Sequence, residues 1–135
     1  TNKAVHFITN KTYDLLSVAH AALVTSGTAT LETALFKVPE VVCYKGNWAS
    51  YQIAKRIITL KYISLVNLIM DEEVVTELIQ SECNSKRIKA ELTKILNSEY
   101  RQKLLKKYEI LEEKLGGEGA SEKVAQLIVA SIARF

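Results

Sequence analysis

Ser26-Gly27-Thr28-Ala29, with Glu32 following in the same segment, is the part of this chain whose residue types and spacing could do chemistry. An apolar run, Ala21 to Val24, leads into Ser26-Gly27-Thr28, and a helical pattern continues from there to Phe36. Lys37-Val38-Pro39 breaks the helix, and a second apolar run follows, Val41-Val42-Cys43-Tyr44. Strand, tight turn, helix and strand make one right-handed βαβ unit of a parallel sheet. The turn puts small residues and backbone N–H groups at a helix N-terminus, where the macrodipole favours an anion such as a phosphate. Glu32 falls about one and a half turns into the helix, near enough for its carboxylate to accept from a sugar hydroxyl. A phosphate cradle beside a carboxylate describes a nucleotide or sugar-nucleotide site. The same spacing also serves plain helix capping, with Ser26 as the N-cap.

The elements that must position these residues fit in a chain of one domain's length, 135 residues. Its 48% hydrophobic and 24% charged content is that of a soluble globular protein. A net charge of +3 with no dense arginine cluster gives no case for nucleic acid. No apolar run approaches the ~20 residues of a transmembrane helix. The start, Thr-Asn-Lys-Ala-Val-His, has no signal-peptide pattern and no initiator methionine, and reads as a chain cut from something longer. Cys43 and Cys83 lie far apart without metal spacing and read as reduced thiols. His6 and His20 have no ligand-like spacing, so no metal or other cofactor is assigned.

Val5-His6-Phe7-Ile8 reads as a short strand, and Thr12 as the N-cap of a helix from Tyr13 to about Ala19. After the central unit, Trp48 to Leu60 reads as a helix, Tyr62 to Ile69 as an extended segment or short strand, and Glu72 to Ile79 as a helix capped by Asp71. Ser85 caps a helix through about Leu96, and Glu99 to Leu115 forms another whose charges run against the helix dipole. Gly116-Gly117-Glu118-Gly119 is a flexible joint before a last helix, Ser121 to Ala133, with Val124, Leu127, Ile128 and Ile132 on one face. The expected fold class is α/β: the second half of a Rossmann-like parallel sheet (1–97) with trailing C-terminal helices (98–135).

Taken in order, Ser26 to Glu32, Lys37 to Lys45, Ala54-Lys55-Arg56, Tyr62-Ile63-Ser64-Leu65-Val66-Asn67-Leu68 and Glu77-Leu78-Ile79-Gln80-Ser81-Glu82-Cys83 resemble lipid-A-disaccharide synthase, a family of inverting GT-B glycosyltransferases. The resemblance implies transfer of 2,3-diacylglucosamine from its UDP donor to 2,3-diacylglucosamine 1-phosphate, forming a β-1,6 disaccharide and releasing UDP. It implies that this chain is the later part of the donor domain, and that the N-terminal domain with the presumed base lies elsewhere. Residue by residue, Ser26, Gly27, Thr28 and Ala29 match the diphosphate-facing turn, and Glu32 the ribose-binding carboxylate. Asn67 and Gln80 match polar positions at the sugar-diphosphate end of the cleft. Val66 stands where the family usually has proline, which leaves the Asn67 loop less rigidly pre-set. Glu72 replaces a common arginine.

The resemblance further implies a cytoplasmic enzyme, peripheral to the inner membrane. Trp48, Tyr51, Lys55 and Arg56 combine aromatic and basic residues in a way that suits a membrane interface or, equally, a core with a solvated face. An uncovered sheet edge and helix face point to a homodimer or self-associating fragment. Another UDP-sugar GT-B enzyme or epimerase would share Ser26 to Thr28 and Glu32 but not the stretch from Asn67 to Gln80. A non-catalytic helical module keeping a Rossmann remnant would bind no UDP.

Overall fold

Proline and a left-handed turn set up the first strand pairing. Helix α2 (Thr28–Leu35) ends at Phe36, Lys37 takes a φ of 58°, and the chain re-emerges extended through Val38 and Pro39. It then runs as β2 (Glu40–Tyr44), parallel to β1 (Ala22–Val24), which precedes α2. A third strand, β3 (Thr76–Ile79), pairs parallel to the other side of β2, so the sheet order is β1-β2-β3. The remaining helices are α1 (Thr12–Val18), α3 (Leu65–Met70), α4 (Ser85–Leu96) and α5 (Ser98–Lys114), with a 3-10 turn at Gln80–Glu82. This computed structural model describes residues 5–25, 27–46 and 61–116 together with Gln126 and Val129. Ser26, the helix expected from Trp48, Gly117 and the helix expected from Ser121 (the two isolated residues apart) lie outside them.

One apolar cluster holds the layers together. Val41, Val42 and Leu78 come from the sheet, Ala34 from α2, Val66 and Met70 from α3, Ile95 from α4, and Leu104, Tyr108 and Leu111 from α5. Burying each of the larger side chains is worth about 1.5–3 kcal/mol. Helix α5 therefore packs on the same core as the strands, its charge order offset by this burial and by Asn97, whose Oδ1 accepts from the N–H groups of Glu99 and Tyr100. Lys37 ties α2 to α5 through the Glu112 carboxylate and the Tyr108 carbonyl.

The parallel α/β arrangement matches the expectation, and several local assignments are corrected. Residues 5–8 form no strand: they are exposed, Phe7 by 94%, and pair with nothing in the three-stranded sheet. The segment expected to be extended from Tyr62 contains α3, because Ser64 caps it by accepting from the Asn67 N–H. A short apolar run such as Leu65–Met70 fits a helix and a strand equally well. The helix expected over 72–79 is absent. Asp71 is left-handed (φ 54°) and ends α3, and the β-branched run beginning at Val74 leads into β3. Asn84, not Ser85, caps α4, accepting from the Arg87 N–H at 3.0 Å. Helix α1 begins at Thr12 with no side-chain cap among the described residues, and of its apolar residues only Leu16 is buried.

Candidate functional site

Because β1, β2 and β3 are parallel, their carboxyl ends lie on one edge, the edge where open α/β sheets take ligands. Two predicted site residues follow the strand ends on that edge. Val24 lies opposite Val42, and Val42 opposite Glu77. Gly27 is three residues past Val24 and Gln80 three past Glu77. With β2 between their strands, the two chain exits are two strand spacings apart, about 10 Å.

Gly27 has φ 122° and ψ −161°, a combination open essentially to glycine alone. A Cβ there would have no heavy atom within 4 Å among the described residues, so the space in front of this backbone is open. Thr30 pins the turn, its hydroxyl donating to the Gly27 carbonyl at 2.8 Å. Gly27 is also the N-cap of α2, and no side chain among the described residues caps that helix. The positive end of the helix dipole therefore lies at this turn, where the Thr30 N–H is already taken by the Gly27 carbonyl at 3.3 Å. Thr28 is exposed and Ala29 half-buried.

Glu32 lies on the next turn of α2, half-buried. The only hydrogen bond its carboxylate makes among the described residues is a long one, 3.5 Å, from the Tyr13 hydroxyl of α1. Tyr13 in turn stacks on Phe36, ring centroids 5.5 Å apart. This leaves the Glu32 carboxylate able to accept from a ligand hydroxyl. At the other strand exit, Gln80 has a left-handed φ of 52° where β3 turns into the 3-10 segment. Its Nε2 is buried without a hydrogen-bond partner among the described residues. Backbone strain and an unpaired amide together mark this residue, since buried polar groups are nearly always paired.

Asn67 is placed differently from the polar contact expected of it. Its side chain is fully buried and all four of its bonding positions are taken. Nδ2 donates to the Val75 carbonyl (2.8 Å) and to Glu77 Oε1 (2.9 Å), and Oδ1 accepts from the Val74 and Val75 N–H groups (2.8 and 2.9 Å). Asn67 thus fixes α3 to the approach of β3 and has nothing left to offer a ligand.

Glu77, which the sequence reading left without a role, is the second half of this device. Its carboxylate accepts from the N–H of Ile63 (2.9 Å), the N–H of Ser64 (2.9 Å) and the Ser64 hydroxyl (2.8 Å) as well as from Asn67. The signal in the sequence was a carboxylate inside a short β-branched run, where partial burial is tolerable only with partners. Val66 in the proline position is buried inside α3, so the loop is set by Ser64, Asn67 and Glu77 instead of by a proline ring. Glu72 does not face the candidate site: both its oxygens accept from Lys107 of α5, at 2.7 and 2.9 Å.

A second polar pair was also missed. Glu40, at the opposite end of β2, is fully buried with neither oxygen hydrogen-bonded among the described residues. Burial pushes its carboxyl up to about 9, so it is protonated at neutral pH. The Tyr108 hydroxyl of α5 is likewise buried and unpartnered there, and burial followed by the nearby Glu40 charge raises its pKa. Among the described residues no cluster of three His, Cys, Asp or Glu side chains could hold a metal ion, and no helix is long and apolar enough to cross a membrane.

A sequence model of the family described as lipid-A-disaccharide synthetase matches residues 1–130. The chain belongs to that family. Curated lipid-A-disaccharide synthases resemble it over nearly its whole length. The one from Syntrophus aciditrophicus (strain SB) is 42% identical over 129 residues, covering 95% of this chain and 34% of that protein. The one from Geobacter sulfurreducens is 37% identical over 126 residues, 93% of this chain and 33% of that protein. The one from Nitrosococcus oceani is 39% identical over 126 residues, 93% of this chain and 32% of that protein. The chain spans about a third of the length of these lipid-A-disaccharide synthases. The family resemblance carried by the ordered motifs from Ser26 to Cys83 is therefore borne out.

Proposed function

We propose that this chain is the UDP-donor-binding part of a lipid-A-disaccharide synthase. The carrying observation is that Gly27 and Gln80 follow the carboxyl ends of β1 and β3, which lie on one sheet edge, and that among the described residues no side chain caps α2 and none pairs with the Gln80 amide. In this reading the UDP diphosphate lies on the turn at Ser26, Gly27, Thr28 and Ala29, with Gly27 giving it room. Glu32 accepts from the ribose hydroxyls. Gln80 donates its Nε2 proton toward the sugar-diphosphate end, and Asn67 holds the neighbouring loop without touching the donor.

In the whole enzyme the 6-hydroxyl of 2,3-diacylglucosamine 1-phosphate attacks the anomeric carbon of UDP-2,3-diacylglucosamine, and UDP leaves with inversion. Negative charge grows on the departing diphosphate. The N-terminus of α2, equivalent to roughly half a positive charge, stabilises it as it grows. The base and the acceptor site come from the rest of the enzyme, so this chain alone turns over no substrate. The acyl chains of both substrates support a peripheral place at the inner membrane.

Self-association belongs to the same proposal. Val5 (79% exposed), Phe7 and Val18 (80%) are uncovered apolar residues near the start of the chain, and Leu23 is exposed on β1, the outer strand. A homodimer that covers them follows. Light scattering at micromolar concentration tests it, and a strict monomer contradicts it. For the function itself, UDP should shift the thermal unfolding of the chain upward, and uridine should do so far less. No shift with UDP rejects the donor-binding reading.

A further inference from the structure

Helix α1 meets the proposed ribose carboxylate through Tyr13. The Tyr13 hydroxyl donates to Glu32 Oε1 at 3.5 Å, and no other side chain among the described residues bonds that carboxylate. The Tyr13 ring lies flat on that of Phe36, with centroids 5.5 Å apart and planes 7° apart. Phe36 is the C-cap of α2, and its N–H still donates to the Glu32 carbonyl at 3.0 Å. Glu32 and Phe36 therefore lie one turn apart on one face of the helix, and Tyr13 engages both. The stack fixes the ring, and the ring aims the hydroxyl. Helix α1 is itself held at two points. Leu16, three residues past Tyr13, is buried, and Arg101 of α5 donates to the His20 carbonyl just beyond the helix. Tyr13 remains 58% exposed, so the core makes little claim on it.

We propose that Tyr13 is a positioning residue for the ribose diol of the donor: it holds one oxygen of Glu32 and so presents the carboxylate to the sugar in a single orientation. This role rests on the donor-binding reading, which puts the ribose at Glu32. An unbraced glutamate spreads over several rotamers, and a ligand must select one of them at a cost in entropy. A tyrosine already bonded to one oxygen makes that selection in advance. The carboxylate has about four lone-pair sites, enough for the tyrosine and both ribose hydroxyls together. At 3.5 Å the contact is long for an O–H···O bond, and contacts of this kind tighten when a ligand closes the site. Tyr13 itself touches no substrate and acts only through Glu32.

The test measures the affinities of UDP and 2′,3′-dideoxy-UDP by calorimetry for the wild type, Tyr13→Phe, Glu32→Ala and the double variant. Phenylalanine keeps the stack on Phe36 and removes only the hydroxyl, so the fold is retained. Tyr13→Phe should weaken UDP by roughly three- to tenfold, the worth of one hydrogen bond, and leave dideoxy-UDP unchanged. In the Glu32→Ala background the same change should affect neither ligand, because the group it acts through is gone. If Glu32→Ala abolishes the preference for UDP and Tyr13→Phe leaves it intact, the proposal is overturned while Glu32 keeps its ribose role. A loss from Tyr13→Phe that persists without Glu32 also overturns it, since the hydroxyl would then act on the ligand directly. A wild type that binds both nucleotides alike, or neither, rejects the ribose assignment of Glu32 and the role of Tyr13 with it.

Discussion

Asn67 donates to Glu77 across 2.9 Å, and this one contact joins two sets of bonds that shape the chain between α3 and β3. Asn67 gathers the backbone of Val74 and Val75, while Glu77 gathers that of Ile63 and Ser64. Peptide groups that belong to no strand or helix ladder are satisfied by two side chains, which is why an irregular loop can pass beside the core at all. Glu77→Ala should destabilise the chain by about 3 kcal/mol, since it deletes several bonds to a charged acceptor and leaves buried donors unpaired. Glu77→Gln should cost less, about 1–2 kcal/mol, because one acceptor oxygen remains. Urea unfolding with an unchanged m-value checks both.

Glu40 makes stability depend on pH with a definite sign. Its carboxyl titrates near 4.5 in the unfolded chain and near about 9 in the fold. The contribution is therefore complete below pH 4.5 and is lost as pH rises through the interval to about 9, where the folded state keeps a proton that the unfolded state has released. Within that interval stability should fall by up to about 1.4 kcal/mol per pH unit from this group. Glu40→Met should flatten the slope. At pH 8 it should raise stability by about 1–3 kcal/mol, because two buried oxygens with no partner among the described residues disappear. Denaturation midpoints from pH 5 to 9 for both proteins provide the comparison.

Gly27→Val separates backbone strain from ligand contact. No described atom beyond the chain neighbours lies within 4 Å of a Cβ placed there, so the main cost to the fold is the glycine-only backbone conformation, of order 1–3 kcal/mol. The cost to UDP binding should be larger, because the valine would occupy the space through which the diphosphate approaches the turn. Titration of UDP into folded Gly27→Val should show no saturable binding. Affinity close to that of the wild type would remove the diphosphate from this turn.

Glu32→Ala should leave stability within about 0.5 kcal/mol, as the only bond of its carboxylate among the described residues is the 3.5 Å contact from Tyr13. It should weaken UDP by about 1.5–3 kcal/mol, the worth of a hydrogen bond to a charged group. UDP and 2′,3′-dideoxy-UDP should then bind the variant alike, whereas the wild type prefers UDP.

What the sequence showed and what it hid divide along physical lines. The unit from Ala21 to Tyr44 was legible because glycine, proline and two apolar runs each restrict the backbone on their own. Tyr62 to Ile79 was misread twice for one reason. Leu65–Met70 and the run from Val74 are both short and apolar, and what makes one a helix and the other a strand is the Ser64, Asn67 and Glu77 bonding that only the fold assembles. The motif residues of the site were legible by resemblance, yet their roles were not equally so. Asn67 and Gln80 look alike in sequence, and the fold fills every bond of one while leaving the amide of the other without a partner among the described residues. Glu40 gave no sign of burial because its neighbour in space, Tyr108, lies far along the chain.

The most direct measurement is a calorimetric titration of the chain with UDP, UMP and uridine at one salt concentration, alongside Gln80→Ala. If the diphosphate rests on the N-terminus of α2 and reaches toward Gln80, UDP binds most tightly, UMP more weakly and uridine least. Gln80→Ala should then cut UDP affinity several-fold while barely changing that of uridine. Equal affinity for all three, or no binding by a folded chain, would contradict the assignment of this sheet edge to the donor nucleotide.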